Sequence, residues 1–162
     1  MSSVKDAQLD PRNVSLLWAS PDRVTEIAAL HAKLFNPPWA AKSIAALIEH
    51  PAAAALVIQV LEPKAMAGFI IGQLAADEAA ILSIGVAPQW QRRGIARQMI
   101  EGFMRAATHA EAKRIHLEVA EDNAAATALY DTLGFAEVCR RKDYYQTSGA
   151  QRVDAILLAL DL

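Results

Sequence analysis

The sequence predicts a mixed α+β fold: a central, mostly antiparallel twisted sheet with helices on both of its faces. Three observations carry that expectation. Between residues 53 and 88, three apolar runs are separated by the short polar stretches "EPK" and "ADE", which suit the turns of an antiparallel meander. After Pro88 the apolar period changes from two residues to 3.6. Beyond that point strand-like and helix-like segments alternate to the C-terminus.

Each element has its own local reason. The chain opens on the polar stretch "MSSVKDAQLDPRN", residues 1–13, read as an extension ahead of a single domain at residues 14–162. "VSLLWAS" from Val14 is a short strand, followed by Ser20 as an N-cap and Pro21 in the first helical turn. Val24, Ile27, Ala28, Leu30 and Leu34 recur at helical spacing and predict a helix that stops near "FNPPW". A second short helix, from Ala40 to about Glu49, turns Ile44, Leu47 and Ile48 inward. The meander follows. After it, Ile95, Met99, Ile100, Phe103, Met104 and Ala107 line one face of an amphipathic helix, with Arg97, Gln98, Glu101 and Arg105 on the other. "RIHLEVAED" is the next strand. Asn123 opens another helix, which ends at Leu133 with Gly134 as a left-handed cap. "FAEVCRRKDYY" and "RVDAILLALDL" complete the sheet, the second apolar on both faces and therefore expected inside it.

Composition narrows the function classes. A chain of 162 residues can bury one substantial core without disulfide or metal support. Its 16 basic and 18 acidic residues leave a net charge of -2, which argues against a nucleic-acid partner bound through phosphate neutralisation. No apolar run has the length of a signal or a membrane span, so a cytoplasmic protein without a membrane partner is expected. The single cysteine excludes an internal disulfide, and His31, His50, His109 and His116 show no metal-ligand spacing. No oligomeric state can be read.

The stretch "QWQRRGIARQM", residues 89–99, stands where the amphipathic helix begins. A helix start leaves backbone N–H groups without intrahelical partners and carries partial positive charge, so a loop entering it can bind phosphate. Gly94 at the junction permits an unusual backbone angle and a close ligand approach, while Arg92, Arg93 and Arg97 add charge. Taken alone, the stretch is equally a glycine turn beside solvated arginines. It is neither a Walker loop nor a dinucleotide fingerprint, since the second glycine and the "GKS" or "GKT" ending are missing.

The wider segment from Ala79 to Phe135, "AAILSIGVAPQWQRRGIARQMIEGF" through "IHLEVAEDNAAATALYDTLGF", resembles the Gcn5-related N-acetyltransferase (GNAT) superfamily. That family's acetyl-CoA loop, Q/R-x-x-G-x-G/A, falls on Gln91, Gly94 and Ala96. Within it, "LEV…NAAA…ALY…LGF", "RRKDYY", "DAILLAL" and the early "LFNPPWAAKSI" look like the bacterial ribosomal-protein-alanine N-acetyltransferases. Departures are Ala40 for the usual serine, Gln146 for proline, Trp90 for tyrosine, and residues 1–13, which have no counterpart.

The resemblance implies the acyl-CoA N-acyltransferase fold and acetyl-CoA as co-substrate, with no metal. It implies direct transfer of acetyl to a primary amine, most closely the N-terminal amino group of a small-subunit ribosomal protein. It also implies residue roles. Ile84, Gly85 and Val86 match the strand whose free N–H groups polarise the acetyl carbonyl, and Arg92, Arg93, Gly94, Ile95, Ala96 and Arg97 match the pyrophosphate loop. Glu118, which alternation places with His116 and Ala120 on one strand face, matches the general base; by pattern alone an exposed rim carboxylate is the favoured reading. Tyr130 matches the tyrosine that protonates the departing sulfur, although a helical tyrosine can simply pack its ring. Asn123 matches a residue that contacts the CoA arm, and as a plain N-cap it is worth ~1 kcal/mol. Cys139 has no matching role. Tyr144 and Tyr145 either line a peptide groove or pack on the sheet. Two other readings stay open: the same fold acting on a small-molecule amine or a protein lysine, and an acetyl-CoA-binding module without turnover.

Overall fold

The computed structural model describes residues 11–146, 149 and 151–162; residues 1–10, most of the expected N-terminal extension, lie outside the described residues. Seven strands form one sheet: β1 (Val14–Trp18), β2 (Ala53–Val60), β3 (Ala65–Ala75), β4 (Glu78–Val86), β5 (Arg114–Ala120), β6 (Ala136–Gln146) and β7 (Arg152–Asp161). Their spatial order is β1-β2-β3-β4-β5-β7-β6, antiparallel at every junction except β4–β5. The four helices are α1 (Val24–Leu34), α2 (Ala41–Glu49), α3 (Ile95–His109) and α4 (Ala124–Thr132).

Helices cover both faces, because β2 and β3 are apolar on both sides. On one face, Ile95, Met99 and Phe103 of α3 and Tyr130 of α4 pack on Leu56, Ile58, Ile70 and Leu117. On the other, Ile27 and Leu30 of α1 and Ile44 and Ile48 of α2 pack on Val57, Phe69 and Ile71. Burying a side chain such as Phe103 is worth about 2–3 kcal/mol by transfer alone, so the two cores fix the sheet between its helical layers.

The helix ends follow their local chemistry, with one shift. Asn123 Oδ1 accepts the Ala126 N–H at 3.2 Å and caps α4. Gly134 closes that helix at φ +95, with Phe135 N–H donating to Tyr130 O and Gly134 N–H to Asp131 O, each at 3.0 Å. Ser20 differs from expectation. It precedes a separate 3-10 turn at Pro21–Arg23, its hydroxyl bonds the Asp22 carboxylate, and no side chain caps α1. Another 3-10 turn, Pro88–Trp90, follows β4.

One break in the sheet positions everything that follows. The parallel ladder between β4 and β5 runs only from Glu78↔Arg114 to Ile81↔Leu117. Past it, β4 continues with β3 alone and β5 with β7 alone, so the two strands diverge. The gap lies between Leu82–Val86 and Glu118–Ala120.

Candidate active site

A cleft of about 900 Å³ occupies this gap. One side of its wall is β4 and the start of α3, and the other is β5 and α4. Just past the end of β4, Ala87 N–H donates to Ala67 O at 2.8 Å. Alternation along the antiparallel pair then turns the Gly85 N–H toward β3 as well, and the N–H groups of Ile84 and Val86 toward the gap. Val86 O, aimed the same way, accepts from Gln91 Nε2 at 3.1 Å, which ties the following loop to the strand end. Of the three residues expected to offer N–H groups, two point into the gap. Gly85 serves packing: a Cβ there would come within 2.7 Å of Leu34 Cδ1 and 2.9 Å of Phe69 Cε1, so its bare backbone lets α1 lie close.

The loop between the 3-10 turn and α3 is a backbone cradle. Arg92 and Gly94 both have positive φ, +62 and +79, and Gly94 is the N-cap of α3. Gln98 N–H makes the bond to Gly94 O at 3.0 Å, leaving the N–H groups of Ile95, Ala96 and Arg97 without intrahelical acceptors. Arg92, Gly94, Ile95, Ala96 and Arg97 line the cleft. Arg93 is turned aside, its guanidinium 5.0 Å over the Trp90 ring. Arg97 is engaged by Glu101 at 2.9 Å. The cradle is therefore mainly N–H groups and helix dipole, with open space around Gly94, and it suits a pyrophosphate.

Glu118 and Tyr130 reach the gap from opposite faces of the sheet. Leu117 and Val119 face the α3–α4 core, so Glu118 projects on the α1–α2 side. Its carboxylate lines the cleft, with the side chain 30% exposed, and Oε1 accepts from the Tyr145 hydroxyl at 2.7 Å. Arg141 Nη1 is 4.0 Å from Oε2. Burial, and then the bond to Glu118, push the Tyr145 phenol up, so it stays a donor. Tyr130 comes from α4, 4% exposed, with its ring edge-on to Phe135 at 5.5 Å. Burial pushes its phenol up to about 12, so its proton is held through the neutral range. Asn123, Ala126 and Leu129 of the same helix region line the cleft beside it.

Two features go beyond what the sequence showed. Tyr145 is brought onto Glu118 by an irregular edge strand: between Arg141↔Ala155 and Tyr145↔Val153, β6 carries two residues more than β7. Asp154 Oδ1 accepts the Asp143 N–H at 3.0 Å where Asp143 takes φ +52, which fixes the distortion. At the far end of the cleft, His31, Phe35, Pro37 and Trp39 form a wall from α1 and the connection to α2. Phe35, Pro37 and Trp39 belong to the "LFNPPWAAKSI" stretch that carries part of the family resemblance, whereas His31 has no sequence signal.

Residues 24–135 match the family model described as acetyltransferase (GNAT) family. The chain belongs to the GNAT acetyltransferase family. A curated relative, the [Ribosomal protein bS18]-alanine N-acetyltransferase of Escherichia coli, is 37% identical over 125 residues, which is 77% of this chain and 82% of the relative. The crystal structure of the ribosomal-protein-S18-alanine N-acetyltransferase from Escherichia coli superposes with a TM-score of 0.83 at 30% identity, covering 91% of this chain and 93% of that one. Arabidopsis thaliana NAA60 in complex with acetyl-CoA shares the fold, with a TM-score of 0.79 at 16% identity over 92% of this chain and 98% of its own. As a GNAT acetyltransferase the protein is an acetyl-CoA-dependent N-acetyltransferase. Among the described residues no group of three or more His, Cys, Asp or Glu is placed to hold a metal, and no helix is long and apolar enough to cross a membrane.

Proposed function

We propose that this GNAT acetyltransferase acetylates the N-terminal amino group of a protein, with an alanine-starting ribosomal protein as acceptor. The observation that carries the reading is the 37% identity to a ribosomal-protein-alanine acetyltransferase over most of both chains. The cleft supports it, because its aromatic far wall and the Glu118–Tyr145 pair lie on the face opposite the pyrophosphate cradle.

The thioester supplies an activated acetyl group, and this chain's residues supply position and protons. The cradle at Arg92 and Gly94–Arg97 holds the pyrophosphate, with Asn123 beside the pantetheine arm and Arg93 contributing through its stack on Trp90. The N–H groups of Ile84 and Val86 face the acetyl oxygen and stabilise charge that develops there. Glu118 takes the proton of the attacking amine at Oε2, while Tyr145 orients the carboxylate through Oε1. Tyr130, which keeps its proton at neutral pH, donates to the leaving thiolate. Proton transfer balances: the amine loses one and the sulfur gains one as the C–S bond breaks and the C–N bond forms.

Incubation with acetyl-CoA and a peptide beginning with the N-terminal residues of the ribosomal acceptor should release free CoA thiol and yield a peptide acetylated at its α-amino group. Turnover confined to polyamines or lysine side chains would move the acceptor to another amine. Acetyl-CoA binding without turnover on any amine would remove the enzymatic roles.

A further inference from the structure

We propose that His31 is a positioning residue for the acceptor: its imidazole holds the connection between α1 and α2 in the shape that walls the far end of the cleft. The inference rests on that end receiving the acceptor, as argued above. His31 is 2% exposed yet lines the cleft, and no step of the transfer uses it. Its Nδ1 accepts the backbone N–H of Trp39, eight positions further along the chain, at 3.1 Å. The ring lies between Phe35, at 4.3 Å and 28°, and Trp39, at 4.9 Å and 21°, with Phe69 of β3 at 6.0 Å. One side chain thus gathers both ends of the connection and seats them on the sheet.

The chemistry admits one protonation state. An acceptor at Nδ1 requires the neutral ring with its proton on Nε2. A second proton would turn Nδ1 into a donor facing the Trp39 donor, and the bond would be lost. Burial lowers the His31 pKa and so favours the neutral form. The groups packed on the ring from α1, the connection and β3 are the uncharged Phe35, Trp39 and Phe69. The other titratable and charged groups of the cleft, Glu118, Tyr130 and Tyr145 with Arg92 and Arg97, belong to its other walls.

Two substitutions separate this role from simple packing. His31→Leu fills the space and removes the acceptor; His31→Asn returns an acceptor at the Nδ1 position and cannot take up a proton in this range. The Leu variant should raise the KM for the peptide by roughly tenfold, because a buried N–H is left without a partner, while the Kd for acetyl-CoA stays at the wild-type value. The Asn variant should recover most of that loss. As pH falls below the ordinary histidine value of ~6.5, the peptide KM of the wild type should rise relative to that of the Asn variant, since the two proteins differ in no other titrating group. Trp39 amide hydrogen exchange, which needs no acceptor, should be slow in wild type and Asn and fast in Leu. Equal Trp39 exchange in all three proteins overturns the inference, as does an Asn variant no better than Leu. A protein that shows the exchange pattern but turns over no peptide keeps the clamp and loses the proposed acceptor instead.

Discussion

In the proposed mechanism Glu118 and Tyr130 divide proton removal and proton delivery between two faces of one sheet, and substitutions should divide them likewise. Glu118→Gln keeps an acceptor for the Tyr145 hydroxyl at Oε1, so the pair can survive while the base is lost. Its kcat should fall by ~10²–10⁴ with acetyl-CoA affinity unchanged, measured by thiol release and by calorimetric titration. Tyr130→Phe keeps the ring that packs on Phe135, so the melting temperature should hold while kcat drops by at least ~10-fold. Wild-type turnover in either variant removes the assigned role. The direction of the Tyr130 shift adds a check from pH. Because burial takes the phenol to about 12, its deprotonation cannot shape the profile near the free tyrosine value of ~10. An alkaline fall in kcat centred there, lost in Tyr130→Phe, would mean that the phenol is not held as the structure holds it.

At the scale of elements, the proposed binding mode rests on the helix starts and on strand irregularities that aim side chains into the cleft. Gly94 has open space where a Cβ would stand, so Gly94→Ala meets no clash and suffers only the left-handed backbone angle. That strain is worth about 1–2 kcal/mol, and relaxing it would reshape the cradle, so acetyl-CoA should bind roughly tenfold more weakly. Arg93→Ala removes a side chain stacked on Trp90, outside the cleft wall, and should weaken binding far less. The reverse order in a titration would show that side-chain charge governs the site. These elements also show what a sequence can disclose. Gly94, Asn123 and Gly134 act on their own neighbours, so turn and cap chemistry revealed them. The strand and helix order was legible from apolar period for the same reason. The two extra residues in β6 and the turn of the Gly85 N–H toward β3 depend on partners across the sheet, and the Nδ1 bond of His31 depends on how an irregular connection folds back on α1. No local pattern encodes those. The roles of Glu118 and Tyr130 came from family likeness, since alternation alone leaves a rim carboxylate and a packed ring as good readings.

Over the whole molecule, the gap that makes the site also weakens the joint between two halves. One half is β1–β4 with α1, α2 and α3; the other is β5–β7 with α4, and the strand pairing between them is the short ladder Glu78–Ile81 with Arg114–Leu117. The shared apolar core beneath, where Phe103 and Ile95 meet Leu117 and Tyr130, carries the rest of the connection. In the proposed binding mode a ligand lying in the gap would meet the N–H groups of β4 and α3 on one side and Asn123 and Tyr130 on the other, and so would stand in for the missing ladder. Acetyl-CoA at 100 times its Kd should stabilise the fold by about 2.7 kcal/mol through mass action, a rise in Tm of roughly 5–10 °C for a domain of this size. Hydrogen exchange should locate that gain on both sides at once, with slower exchange at Val86, Ile95 and Ala96 together with Ala124 to Ala126. Protection confined to the β4 and α3 side would mean that the ligand rests on the cradle alone and that the second half of the sheet takes no part in holding it.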